Sequence, residues 1–271
     1  MLSILNSISS LTAENALSST QANLQKVLTE LSTGLKINSG SDDAAGLSIA
    51  NGLQANISAL NQSSQNASDG VGLLQTADGA LSQVTTLLNR AVTLATEAST
   101  GGLSTSQATA LDTEYQSILT EIGNIGTTTN YNGTTIFGTT ATVFTSDGTS
   151  AGSGTTSTVI GALTTTALAL NGTSLTSTTS AQTALTDITT AIGTVAANRG
   201  SIGAAVNQLT ATSNVENTET TNLTSAENNI QNADIGQTVA QMTQYNVLQQ
   251  TGMAALSQSN QAQQSVLKLL Q

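Results

Sequence analysis

The chain has 271 residues with no His, Cys, Trp or Pro, aromatic residues at 2% and charged residues at 8%. That inventory excludes Ser-His-Asp and Cys-His catalysis, zinc sites built on nitrogen and sulfur, disulfides and thiol switches, and leaves only oxygen ligands for a metal. Five cations against 16 acids give a net charge of -11, which repels nucleic-acid backbones and anionic lipid surfaces.

A hydrophobic share of 38% predicts a thin core and an extended fold with much surface. No run approaches the 18 or so apolar residues of a membrane span. The first cation is Lys26, so the start of the chain lacks the basic segment of a signal peptide, and export is expected to follow a route other than the general secretory one.

In chain order, Leu17, Leu24, Leu28, Leu31 and Leu35 form a weak amphipathic stripe. Ser41-Asp42-Asp43 then reads as a helix start, short polar side chains being suited to the free N–H groups ahead of the apolar run Ala44 to Ala50. Steps of three and four from Ile57 pass through Leu60, Ser64, Ala67, Val71, Leu74, Asp78, Leu81, Thr85, Leu88, Val92 and Ala95, a coiled-coil seam. A third helix, roughly Leu103 to Ile125, places Leu111, Tyr115, Ile118 and Ile122 on one face.

Thr127 to Ser180 differs from its surroundings, with 20 Thr in 54 residues. Thr139 to Thr145 and Ser157 to Leu163 alternate loosely, and Asp147-Gly148 and Asn171-Gly172 are hairpin-type turn pairs. A second seam runs Leu185, Ile188, Ile192, Val195, Arg199, Ile202, Val206, Leu209, Ser213, Glu216, Thr220, Leu223, Glu227 and Ile230. Without proline, a helix from Ala181 to Ala233 would be about 80 Å long at 1.5 Å per residue, and the first seam supplies its partner. The chain closes on Ile235, Val239, Met242, Leu248 and Leu256, then Val266, Leu267 and Leu270. Both end segments carry too little apolar area to offset their ordering entropy alone, so both are expected to fold on assembly.

The predicted class is therefore mainly α: a long antiparallel coiled-coil rod (41–138 and 176–235), terminal helices that pair (1–40 and 236–271), and a small Thr-rich β insert (139–175). Gly148 to Gly152 matches the G-x-S-x-G nucleophile pattern, but with no histidine to act as base it reads as a loop tip. Asp42-Asp43, Asp112/Glu114 and Glu216/Glu219 lack the spacing of a calcium loop and any supporting acidic cluster. No catalytic, metal or cofactor residues are assigned. Arg199 sits on the seam, with two readings open: its stem covers the seam and its head meets an acid of a neighbouring helix, or it forms an inter-subunit ion pair. Of the formal glycosylation sequons at Asn56, Asn61, Asn66 and Asn132, the first three fall in the predicted rod helix.

The run LSTGLKINSGSDDAAGLSIAN from Leu31 to Asn51, with NASDG at Asn66 to Gly70 and TADGAL at Thr76 to Leu81, resembles the N-terminal signature of bacterial flagellins. NLTSAENNIQNAD at Asn222 to Asp234, VLQQTG at Val247 to Gly252 and VLKLL at Val266 to Leu270 resemble the C-terminal signature. The resemblance implies a structural subunit, not an enzyme, that self-assembles into the extracellular flagellar filament for swimming. The terminal helices would form the inner tube, with Leu24, Leu28, Leu31, Leu35, Val239, Met242, Leu248, Leu256, Val266, Leu267 and Leu270 at subunit interfaces. It implies a homopolymer served by an export machinery, a secretion chaperone, and cap and hook-junction proteins. It further implies that Arg90, Leu94 and Glu114 lie at a protofilament contact also bound by the animal flagellin-sensing Toll-like receptor. Gly52, Gln263 and Gln271 depart from the arginine, proline and arginine common there in the family. The alternatives are a hook-filament junction protein and a filament-borne adhesive module.

Overall fold

The computed structural model describes residues 8–148 and 154–269, so all but the tip of the Gly148 to Gly152 loop motif, together with Leu270, lies outside the described residues. Five α-helices and four short strands follow in order: α1 (Ile8–Thr33), α2 (Ala44–Ala98), α3 (Thr105–Thr128), β1 (Asn130–Tyr131), β2 (Thr134–Thr135), β3 (Thr139–Phe144), β4 (Thr155–Ile160), α4 (Thr178–Gln231) and α5 (Ile235–Leu269). The mainly α class expected from the periodicity is what the chain adopts. Among the described residues, no helix is long and apolar enough to cross a membrane.

Helix ends follow local chemistry. Gly34 takes a left-handed φ of 75° and closes α1 with its N–H on the Glu30 carbonyl. Asp43 accepts the Gly46 N–H at 2.9 Å and opens α2, as the sequence suggests. Ser104 and Gln107 form a reciprocal capping box at α3.

The chain divides into two compact units, one made of the segments up to Ala55 and from Asn222, the other of Asn56–Thr221. The second unit holds a continuous core in which residues of α2, α3 and α4 bury Leu74, Leu81, Leu88, Tyr115, Ile122, Ile188 and Val195, joined by Ile136, Ile160 and Leu163 from the strand region. The Tyr115 hydroxyl shares a 2.6 Å hydrogen bond with Thr173, and burial pushes its ionisation above the usual value.

Half of each predicted seam is correct and half is shifted by one residue. In α2, Leu60, Ala67, Leu74, Leu81, Leu88 and Ala95 are buried as expected. The second buried line is Ser63, Gly70, Ala77, Val84, Ala91 and Ala98, whereas Ser64, Val71, Asp78, Thr85 and Val92 are half-buried. In α4, Ile188, Val195, Ile202, Leu209 and Glu216 are buried, and the neighbouring line is Ala184, Ala191 and Ala205 in place of Leu185, Ile192 and Val206. Small residues have little apolar area to signal burial, yet they let backbones approach closely; a Cβ on Gly70 would lie 2.5 Å from Val143 of β3.

The insert has two hairpins. Asn132-Gly133, counted in the sequence only as part of a sequon, is the two-residue turn between β1 and β2, with φ of 50° and 79° as a type I′ turn requires. β3 and β4 pair antiparallel from Thr139↔Ile160 to Phe144↔Thr155, matching the expected strands within a few residues. Asn171-Gly172 joins no strands. It lies in a segment pinned to α3 by buried Leu168, Leu170 and Leu175 and by Asp112, whose Oδ1 accepts the Leu175 N–H at 2.7 Å.

Candidate functional site

Catalytic chemistry finds no foothold in the groups that could have carried it. The described residues contain no cluster of three or more His, Cys, Asp or Glu able to hold a metal. Asp112 holds a loop, Glu114 binds Arg90, and Glu216 accepts from Ser63 in the α2/α4 seam. Arg199 resolves to the first of its two readings: Nε and Nη2 donate to the two carboxylate oxygens of Asp78 at 2.7 and 3.2 Å. The guanidinium holds Asp78 below its usual carboxylate range, and the carboxylate raises Arg199 in turn.

The first unit offers a different kind of site. α1 packs on α5, and a Cβ added at Gly252 would lie 3.4 Å from Leu17 Cδ1. Yet the buried apolar side chains of this unit are Val27, Ile37 and Ala50, whereas nine large ones are 40–79% exposed: Ile8, Leu11, Leu28, Ile49, Ile235, Val239, Val247, Leu248 and Met253. At 100° per residue, Ile235, Val239 and Met253 share one face of α5, while Val247 and Leu248 project from two other sectors. A single partner helix covers one sector of a helix. The others are left apolar and open.

The joint beneath these helices is built by the Leu31 to Asn51 run. Lys36 N–H donates to the Gln231 carbonyl at 2.7 Å, Ala233 N–H donates to the Gly34 carbonyl at 2.9 Å, and Leu35 and Asn232 form an antiparallel bridge. Asp42 does not cap α2. It accepts from the Lys26 ammonium at 3.1 Å, the Ser39 hydroxyl and N–H at 3.0 Å, and the Asn38 N–H at 3.3 Å. Lys26 foremost, with these donors, holds Asp42 below its ordinary value. Gly46 cannot carry a side chain here, because a Cβ would lie 2.7 Å from buried Ile37 and 2.5 Å from Asp43.

The residues expected at subunit interfaces distribute as follows. Leu28, Val239 and Leu248 are exposed, and Leu24, Leu31, Leu35, Met242 and Leu256 are half-buried. Val266 and Leu267 lie in α5, with side chains outside the described set, as is Leu270 altogether. Arg90 and Glu114 form an exposed ion pair at 2.7 Å. Leu94 is a correction to the expected contact surface: at 1% exposed it belongs to the core, because its side chain turns from α2 toward α3 and α4. Ile235, Val247 and Met253 were passed over, since they break the three-and-four spacing that marks a one-sided helix.

Fold and site together define a mainly α chain with a closed helical core and an open apolar pair of terminal helices. Residues 4–142 match the bacterial flagellin N-terminal helical region, and residues 185–270 match the bacterial flagellin C-terminal helical region. The chain belongs to the bacterial flagellin family. Phase 1 flagellin of Salmonella naestved and flagellin of Salmonella dublin are each 47% identical to it over 85 residues, 31% of this chain and 17% of the relative. The matched segment thus spans about a sixth of those relatives. The crystal structure of Bacillus cereus flagellin is similar at a TM-score of 0.49 and 28% identity, covering 56% of this chain and 88% of that one.

Proposed function

We propose that this chain is the structural subunit of an extracellular flagellar filament, a homopolymer in which α1 and α5 bury their open apolar faces against identical neighbours. One observation carries the reading: the first unit exposes nine large apolar side chains and buries three apolar ones. Burying a large aliphatic side chain contributes about 1.5–3 kcal/mol, so even part of this set, repeated in each copy, is a strong drive to associate. Family membership supplies the form of the polymer. Segments 1–40 and 236–271 form its inner tube, 41–138 and 176–235 the surrounding helical layer, and 139–175 its outward face. The flagellar export machinery, a secretion chaperone, and cap and hook-junction proteins are its accessory partners. Arg90 and Glu114 supply an outer polar contact, between protofilaments or with the flagellin-sensing Toll-like receptor.

Seeded elongation of the full chain beside a version lacking 1–40 and 236–271, watched by electron microscopy, tests this. Filaments grow from the full chain alone if the reading holds. Elongation by the truncated chain, or none by the full chain on a competent seed, overturns it.

A further inference from the structure

The α2/α4 seam changes character at one layer. On α4 the buried heptad line runs Ala181, Ile188, Val195, Ile202, Leu209 and then Glu216, a carboxylate only 4% exposed where the pattern calls for another aliphatic residue. Ser63 on α2 donates its hydroxyl to Glu216 Oε1, while Oε2 has no protein donor. Beside them the hydroxyls of Ser64 and Ser213 share a 2.9 Å hydrogen bond. Four polar side chains thus face one another where apolar side chains otherwise pack.

The continuous core ends at this layer. Its outermost members on the two helices are Ala67 and Leu209. Every α4 residue after Glu216 is half-buried or exposed, and on α2 only Ile57 and Leu60 are buried between Ser63 and the unit boundary at Asn56. A buried carboxylate with one unmatched oxygen weakens the seam relative to an apolar pair of the same volume. Cooperative folding that spreads from the core therefore meets its weakest step here.

We propose that the Ser63–Glu216 layer is a stop in the seam: it confines the cooperative core of the monomer to one side and leaves 44–60 and 217–231 to become fully ordered only when a second copy packs on the first unit. The stop keeps the ends of the subunit from consolidating before assembly, and so rests on the filament reading above.

Hydrogen exchange on the full-length monomer, resolved along α2 and α4, tests the stop. In the native chain, protection falls at least tenfold on passing Glu216 and Ser63 toward 217–231 and 44–60. In S63A/E216L, which makes the layer apolar at nearly constant volume, protection extends into both segments. G203A is the control: a Cβ there meets open space, so it raises helix stability without touching the layer. Protection that does not move in S63A/E216L, or moves equally in G203A, overturns the proposal. The readout is taken on the monomer, so failure of the filament reading shows separately, as absence of seeded growth in the native chain.

Discussion

The two units solve the same problem in opposite ways. Both are built from helices with weak, alanine-, serine- and threonine-rich faces, yet Asn56–Thr221 closes its core within the chain. The unit containing both ends leaves most of its large apolar groups uncovered. A third helix makes the difference. α3 and the strand region give the α2/α4 seam a further surface, whereas α1 and α5 have only each other. A two-helix pair cannot enclose side chains that project from several sectors, so its completion must come from outside the chain.

That contrast can be broken most severely at α5. The triple variant V247S/L248S/M253S removes three exposed apolar side chains. It is expected to abolish seeded elongation, read by electron microscopy, while leaving the thermal midpoint of the monomer unchanged. A truncation pair sharpens it next. Leu81→Ala empties a fully buried position and should cost about 2–5 kcal/mol of monomer stability by denaturant titration. Leu28→Ala, at an exposed position, should cost within about 0.5 kcal/mol in the same assay. Smaller and opposite in sign, Gly203→Ala should stabilise the monomer by up to about 1 kcal/mol.

Acid has the mildest effect, and it acts on both units. Asp42 and Asp78 have folded values lowered below the ordinary 3.8 by Lys26 and Arg199, so each stabilises the fold fully above 3.8 and loses that contribution as pH falls through the lowered value. For the partly exposed Asp78–Arg199 pair this is below about 1 kcal/mol. Asp78→Asn should lower the unfolding midpoint at pH 7 and leave it nearly unchanged at pH 2.

Much of this was legible in the residues. The long periodic runs, free of proline, predict α2 and α4 and their antiparallel seam, because two heptad lines of large residues survive in so polar a chain. The companion lines were not legible. Ser63, Gly70, Ala77 and Ala91 are buried because they are small, and smallness resembles neutrality in a hydrophobic count. The Asn132-Gly133 turn was visible as a dipeptide but lay between strands of two residues, too short to alternate. At the site, the apolar stripes of α1 and α5 gave Leu28, Val239 and Leu248. Leu94 needed the third helix to be seen as core, and Val247 and Met253 needed the fold to be seen as open.

Because the chain has no cysteine, single reporters can be placed cleanly. The most direct test of the central claim is maleimide labelling of Leu248→Cys in the monomer and in filaments grown from it. The account predicts rapid labelling of the monomer and at least tenfold slower labelling in the filament, because a neighbouring copy covers that sector of α5. Equal rates in the two states would contradict it.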